Sequence, residues 1–150
     1  LRASQTVFSN VVLHVSVLRN TNIATTRWKA PVNGNWETAT NWTAGLPGPG
    51  TNAVIDLPGD YTVTIQSSVF VESLRLGAGG GPGTGVQTLF LSSGGLELND
   101  ASSVVRGGLF RSLGVVAGQG GLSVAGNWVW EQFSEVTGIG PIRIEEGAPA

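Results

Sequence analysis

The sequence predicts an all-β fold, read as a solenoid of short stacked strands, with an antiparallel β-sandwich as the alternative. Three observations predict it. Val, Ile, Leu and Thr gather in short runs whose apolar residues alternate, and 23 glycines in 150 residues fall between those runs, where turns punctuate strands. No segment holds a 3.6-residue apolar period. Leu-x-Leu or Val-x-Val phrases recur behind glycines (Leu74/Leu76, Leu96/Leu98, Leu122/Val124), while acids and arginines stand singly between them. That arrangement suits a solenoid with a wet outer face.

The first element is Val11–Leu18, where Leu13, Val15 and Val17 share one face and His14 and Ser16 the other. β-Branched residues dominate it, so it reads as a strand. Val11, Leu13, Val15 and Val17 are therefore the candidate assembly strand, carried on an N-terminal extended segment, residues 1–27. Residues 28–150 read as one solenoid domain, since a chain of this length forms one core.

That domain opens with a tryptophan-rich stretch, residues 28–50, containing Trp28, Trp36 and Trp42 beside the turn signals Asn33-Gly34 and Pro47-Gly48. Large rings next to turns suit a lid over apolar area that short strands leave bare. Short strands follow at Ala53–Ile55, Tyr61–Ile65, Val69–Leu76, Thr88–Leu91 and Leu96–Leu98, with a glycine-rich loop between Gly77 and Gly85. Further strands are expected at Val104-Val105, Leu109-Phe110, Val115-Val116, Leu122–Val124, Trp128–Trp130 and Ile142–Ile144.

The stretch Gly34-Asn35-Trp36…Asn41-Trp42…Pro47-Gly48…Asn52-Ala53-Val54-Ile55…Tyr61-Thr62-Val63-Thr64 resembles the opening of secreted bacterial β-solenoid proteins of the autotransporter-passenger and adhesin type. Val71–Gly77 and the later Gly126-Asn127-Trp128-Val129-Trp130…Ile142-Arg143-Ile144 are similar to their rungs. The resemblance runs from about Trp28 to Ala148. It implies a right-handed parallel β-helix, an extracellular or cell-surface location and a scaffold or adhesive role. Such passengers run for hundreds of residues, whereas this chain holds about four to six rungs of roughly 20 residues each. Leu1 to Arg27 has no counterpart in that pattern.

Composition narrows the function classes. Hydrophobic residues make up 41% and charged ones 12%, about half the usual charged share, which argues against wholesale disorder. No apolar stretch reaches the roughly 20 residues of a spanning helix, so no membrane span is expected. Cys is absent, which excludes disulfides and thiolate metal sites. Arg2, Arg19, Arg27 and Lys29 precede any acid, and the remainder sets Arg75, Arg106, Arg111 and Arg143 against ten acids. Four scattered cations make no nucleic-acid stripe.

Chemistry-bearing patterns are few. His14 is the single histidine, there is no Gly-x-Ser-x-Gly elbow, and the lone Lys29 is followed by Ala30, which leaves no triad motif, two-histidine zinc motif or P-loop. Glu72 and Glu97 are the best acid pair for glycoside cleavage, yet single solvated positions describe them better. The chain is therefore expected to be a non-enzyme without cofactor. Trp42, Trp128 and Trp130 are candidate glycan-stacking rings, with a core or cap role as the competing reading. Asn41-Trp42-Thr43 is a glycosylation sequon, which makes Asn41 a candidate attachment site. The leading expectation is an extracellular structural protein that self-assembles into a surface fibre or layer by stacking or strand exchange, its partner being copies of itself. A carbohydrate-binding adhesin is the alternative, with polysaccharide as partner, and a polysaccharide-cleaving enzyme ranks third.

Overall fold

The computed structural model describes residues 23–79, 81–100, 103–138 and 140–145. The expected assembly strand, with Val11, Leu13, Val15 and Val17, lies outside the described residues, as does His14. Among the described residues the chain is all-β, without α-helix. Thirteen strands, numbered in chain order, accompany one 3-10 turn at Ala39–Asn41.

The strands stack in three ladders. The first holds β1 (Ala24–Arg27), β3 (Thr51–Ile55), β6 (Ser73–Leu76), the front halves of β9 (Ser103–Ser112) and β11 (Leu122–Trp130), and β13 (Ile142–Ile144). The second holds β2 (Gly34–Asn35), β4 (Tyr61–Ile65), β7 (Gln87–Leu91) and the rear halves of β9 and β11. The third holds β5 (Val69–Val71), β8 (Gly95–Leu98), β10 (Val115–Ala117) and β12 (Glu135–Thr137). Because β9 and β11 serve two ladders each, the first two join in one curled nine-stranded sheet, and the third is a separate four-stranded sheet.

Every pairing between named strands is parallel, with Cα partners 18 to 29 positions apart. An antiparallel sandwich needs hairpin neighbours, so that alternative is overturned. Parallel neighbours need a crossover of a dozen or more residues, and here the crossover is the visit to the other two ladders.

Register explains the core. Parallel in-register stacking places like positions over one another, so the alternation within each strand becomes apolar files running through the stack. Ile55, Leu76, Val105 and Val124 form one file, all at 0–1% exposure. Val63, Leu89 and Phe110 form a second, and Val69, Leu96 and Val116 a third. Burying each such side chain contributes about 1.5–3 kcal/mol. The outward positions between them, such as Thr62, Thr64, Arg75 and Glu97, keep contact with water.

Long-range side-chain acceptors complete the corners. Asn33 Oδ1 accepts the Thr62 N–H at 2.8 Å, and Asp60 Oδ1 accepts the Val86 N–H at 2.7 Å. Gln87 is fully buried; its Oε1 accepts the Ala78 N–H, and its Nε2 donates to the carbonyls of Gly59 and Thr84, each at 2.8 Å. The glycine-rich loop after Gly77 is thus anchored by one amide side chain rather than left to hang.

Candidate functional site

The two ends of the stack differ, and the difference is the most informative feature of the molecule. At the end nearer β1, Trp28, Trp36 and Trp42 are exposed by 2%, 0% and 2%. Trp42 meets both neighbours edge-on, with ring centroids 5.2 Å from Trp28 and 4.7 Å from Trp36. Its Nε1 donates to the Trp36 carbonyl at 2.8 Å, while Trp28 Nε1 donates to the Val32 carbonyl at 3.1 Å. These rings close the apolar files at that end.

The same segment also covers the outer edge of β1. Thr43 N–H donates to the Arg27 carbonyl at 2.9 Å, Lys29 N–H donates to the Asn41 carbonyl at 2.8 Å, and the Arg27 N–H reaches Thr43 Oγ1 at 2.9 Å. Thr26 Oγ1, itself buried, donates to the Gly45 carbonyl at 3.0 Å. Edge strands left bare invite pairing with another chain; the Arg27 end of this edge is occupied.

At the opposite end nothing comparable is found among the described residues. The files continue in register onto Ile142 over Leu122 and Ile144 over Val124, but exposure rises from 1% at Leu122 and Val124 to 37% at Ile142 and 70% at Ile144. In the second ladder, Trp128 lies over Phe110 with centroids 5.5 Å apart and is followed by Trp130 at 5.2 Å. Trp128 is half-buried, while Trp130 is 51% exposed. The turn into β12 carries Phe133 at 87% exposure and φ +76°, a backbone region that non-glycine residues rarely occupy. Such strain tends to collect at functional positions. A cleft of about 220 Å³ opens beside β13, between Leu122, Arg143 and Glu145. Among the described residues no strand pairs with the outer edges of β12, β13 or the rear half of β11, nor with those of β2 and β5 at the tryptophan end.

The candidate residues fall out unevenly. Trp42 is a core residue with no free ring face for a sugar. Trp128 and Trp130 do share a face, as alternation requires, but that face continues the inward file above Phe110, so their rings floor the open end. The Asn41 side chain is half-buried, and its amide donates to the Asn35 carbonyl at 3.2 Å, so the nitrogen a glycan would take is engaged. Glu97 pairs in register with Phe70 and Ala117, with Glu72 two positions further along from Phe70. Among the described residues no group of three or more His, Asp or Glu gathers in metal-binding reach, and no helix is long and apolar enough to cross a membrane.

Two features carry no sequence signal of their own. Arg111 pairs with Glu131 on the neighbouring strand's exit while its guanidinium lies 4.8 Å from the Phe90 ring centroid. Glu37 Oε1 accepts the N–H groups of Gln66 and Ser67 at 2.7 and 3.0 Å and the Ser67 hydroxyl at 3.0 Å. Burial pushes the Glu37 carboxyl upward, but these donors outweigh it and hold its pKa below the ordinary carboxylate value. A depressed folded pKa stabilises the fold above the unfolded pKa and loses that contribution as pH falls through the folded value. Thermal melts from pH 7 to pH 3 are therefore expected to separate the parent from Glu37→Gln most at neutral pH and to converge on acidification. A gap that widens toward pH 3 would refute the assignment.

No family model, no curated protein and no solved structure matches this chain.

Proposed function

We propose that this chain is an extracellular structural module, a short right-handed β-helix with a tryptophan-rich cap that assembles with copies of itself through the apolar rim around β13 and Trp130. The cyclic visits of the chain to three parallel ladders support the β-helix, and strand–crossover–strand connections between parallel strands are overwhelmingly right-handed. The observation that carries the function is the apolar surface around β13, with Ile144, Trp130 and Phe133 exposed by 70%, 51% and 87%, against three tryptophans at 2% or less in a cap segment that exposes only the smaller Val32 and Leu46. An apolar end whose strand edges have no strand partner among the described residues is a pairing surface. The burial of Trp42 leaves the adhesive alternative resting on Trp128 and Trp130.

Assembly into a surface fibre or layer has two routes. Rims can stack in pairs, or residues 11–18 of one copy can add as a strand to the rim of the next, a head-to-tail contact that propagates.

Light scattering across a concentration series tests the proposal. The parent is expected to gain mass with concentration, while Ile144→Lys stays monomeric with an unchanged far-ultraviolet spectrum. A parent that remains monomeric at millimolar concentration removes the proposal.

A further inference from the structure

Arginines that stand far apart in sequence are brought by register onto one face. Arg27 pairs with Val54, Val54 with Arg75, Arg75 with Val104, Val104 with Ser123, and Ser123 with Arg143. Arg27, Arg75 and Arg143 therefore share one outward file of the first ladder. The neighbours of Arg27 (Thr26 and Trp28) and of Arg75 (Leu74 and Leu76) are buried. Arg106 lies two positions beyond Val104 on β9, so alternation puts it on the same face. All four arginines are exposed. At ~4.8 Å per strand, Arg75 stands roughly 10 Å from Arg27 and roughly 14 Å from Arg143.

The acids are distributed differently. This face carries Asp56 and Glu145, and Glu145 accepts a hydrogen bond from the Ser123 hydroxyl. Glu72 and Asp100 precede β6 and β9, at the corner between the third and first ladders. The strands of the third sheet carry Glu97 and Glu135 and no Lys or Arg. Asp56 shows what the arginine face accepts. Its two carboxylate oxygens take hydrogen bonds from Arg27 Nη1 at 3.0 and 2.8 Å, and Arg75 Nη2 is 3.9 Å from the nearer of them. Two guanidiniums thus converge on one carboxylate while each stays about half exposed. Arg106 and Arg143 have no ion-pair partner among the described residues. The outward positions around them hold Ser73 and Ser123 but no aromatic ring on which a nucleic-acid base could stack.

We propose that the outer face of the first ladder binds an acidic polysaccharide, its uronate carboxylates seated on Arg75, Arg106 and Arg143 as the Asp56 carboxylate is seated on Arg27. A guanidinium presents paired donors that match a carboxylate, and the serine hydroxyls on the same face meet ring hydroxyls. Contacts spaced along one polymer reinforce each other through effective concentration. The face runs along the side of the stack, so the inference goes beyond assembly and does not rest on it.

Affinity electrophoresis through gels containing polygalacturonate tests the assignment. The parent is expected to be slowed by polygalacturonate and not by neutral dextran, and the effect is expected to fade as salt rises. Arg75→Gln/Arg106→Gln is expected to weaken binding about tenfold or more, the loss of two charge-assisted contacts. Arg111→Gln, on the second ladder, is expected to leave binding unchanged. Asp56→Asn is expected to tighten it, because the internal carboxylate that occupies Arg27 is gone. Circular dichroism of each chain reports whether the fold is kept. A parent that polygalacturonate does not slow, or a folded double variant slowed as much as the parent, overturns the proposal. Duplex DNA or a dextran sulfate of matched charge held more tightly than polygalacturonate overturns the uronate assignment. Light scattering of the same chains reads rim assembly separately, and neither result decides the other.

Discussion

Trp36→Ala is expected to destabilise the fold by about 3–5 kcal/mol, in the range of aromatic truncations in cores. In a chain of this size that lowers the melting temperature by roughly 6–20 °C. Trp36 has no exposed surface, its N–H donates to the Thr64 carbonyl at 2.8 Å, and its ring packs edge-on against Trp42. Truncation opens a cavity over the ends of the second-ladder files, where Val63 and Ile65 are otherwise fully covered. The Trp42 indole keeps its hydrogen bond, because its acceptor is the Trp36 backbone carbonyl, so the cost is packing rather than an orphaned donor. Trp130→Ala at the other end is the matched control. That ring is 51% exposed, and its loss is expected to cost under about 1.5 kcal/mol. Thermal melts followed by circular dichroism decide the matter, and equal costs at the two positions would contradict a tryptophan cap opposite an exposed apolar rim.

What the sequence made legible was period and punctuation. Tyr61–Ile65 alternates and is observed as β4 at those bounds, while Leu96 and Leu98 fall at the inward positions of β8. Alternation alone reads the same in parallel and antiparallel strands; the parallel reading came from the recurring glycine-led Leu-x-Leu phrases and the resemblance, and register with residues some twenty positions away bears out parallel pairing. Corners were misjudged both ways. Val69–Leu76 reads as one alternating run, yet the chain turns at Glu72, and β5 and β6 belong to different sheets. Val104-Val105 and Leu109-Phe110 read as separate strands, yet β9 passes through Gly107 and Gly108 without a break.

The candidate site was legible in kind but not in place. A tryptophan-rich lid follows from three large rings beside turns, but the burial of Trp42 depends on Trp28 and Trp36 closing over it from both sides. The open end could be seen only once Ile142 and Ile144 were found stacked over Leu122 and Val124 with nothing above them among the described residues. Acceptors such as Glu37, some thirty positions from its donors at Gln66 and Ser67, leave no local pattern to detect.

Gly77→Ala is expected to cost more than about 3 kcal/mol, and most of that cost belongs to stacking. Gly77 has φ +102°, and a Cβ there would stand 2.1 Å from the Arg106 carbonyl oxygen and 2.7 Å from the Gly108 nitrogen. Both atoms are backbone of β9, the strand that follows β6 in the first ladder, so neither can swing aside as a side chain would. Relief requires prising adjacent strands apart, which stretches the ladder around Leu76 and Val105 and opens their file. Gly83→Ala separates this from conformational strain alone: its φ is +81°, and nothing lies within 4 Å of the added carbon. Left-handed backbone by itself costs an alanine roughly 1–2 kcal/mol, so Gly83→Ala is expected to stay within that range. Urea denaturation of the two variants reads the difference directly. If they unfold at the same midpoint, the close approach of neighbouring strands at that corner is not what the fold depends on; a gap of about 1.5 kcal/mol or more ties stability to the tight parallel stacking from which the open rim itself arises.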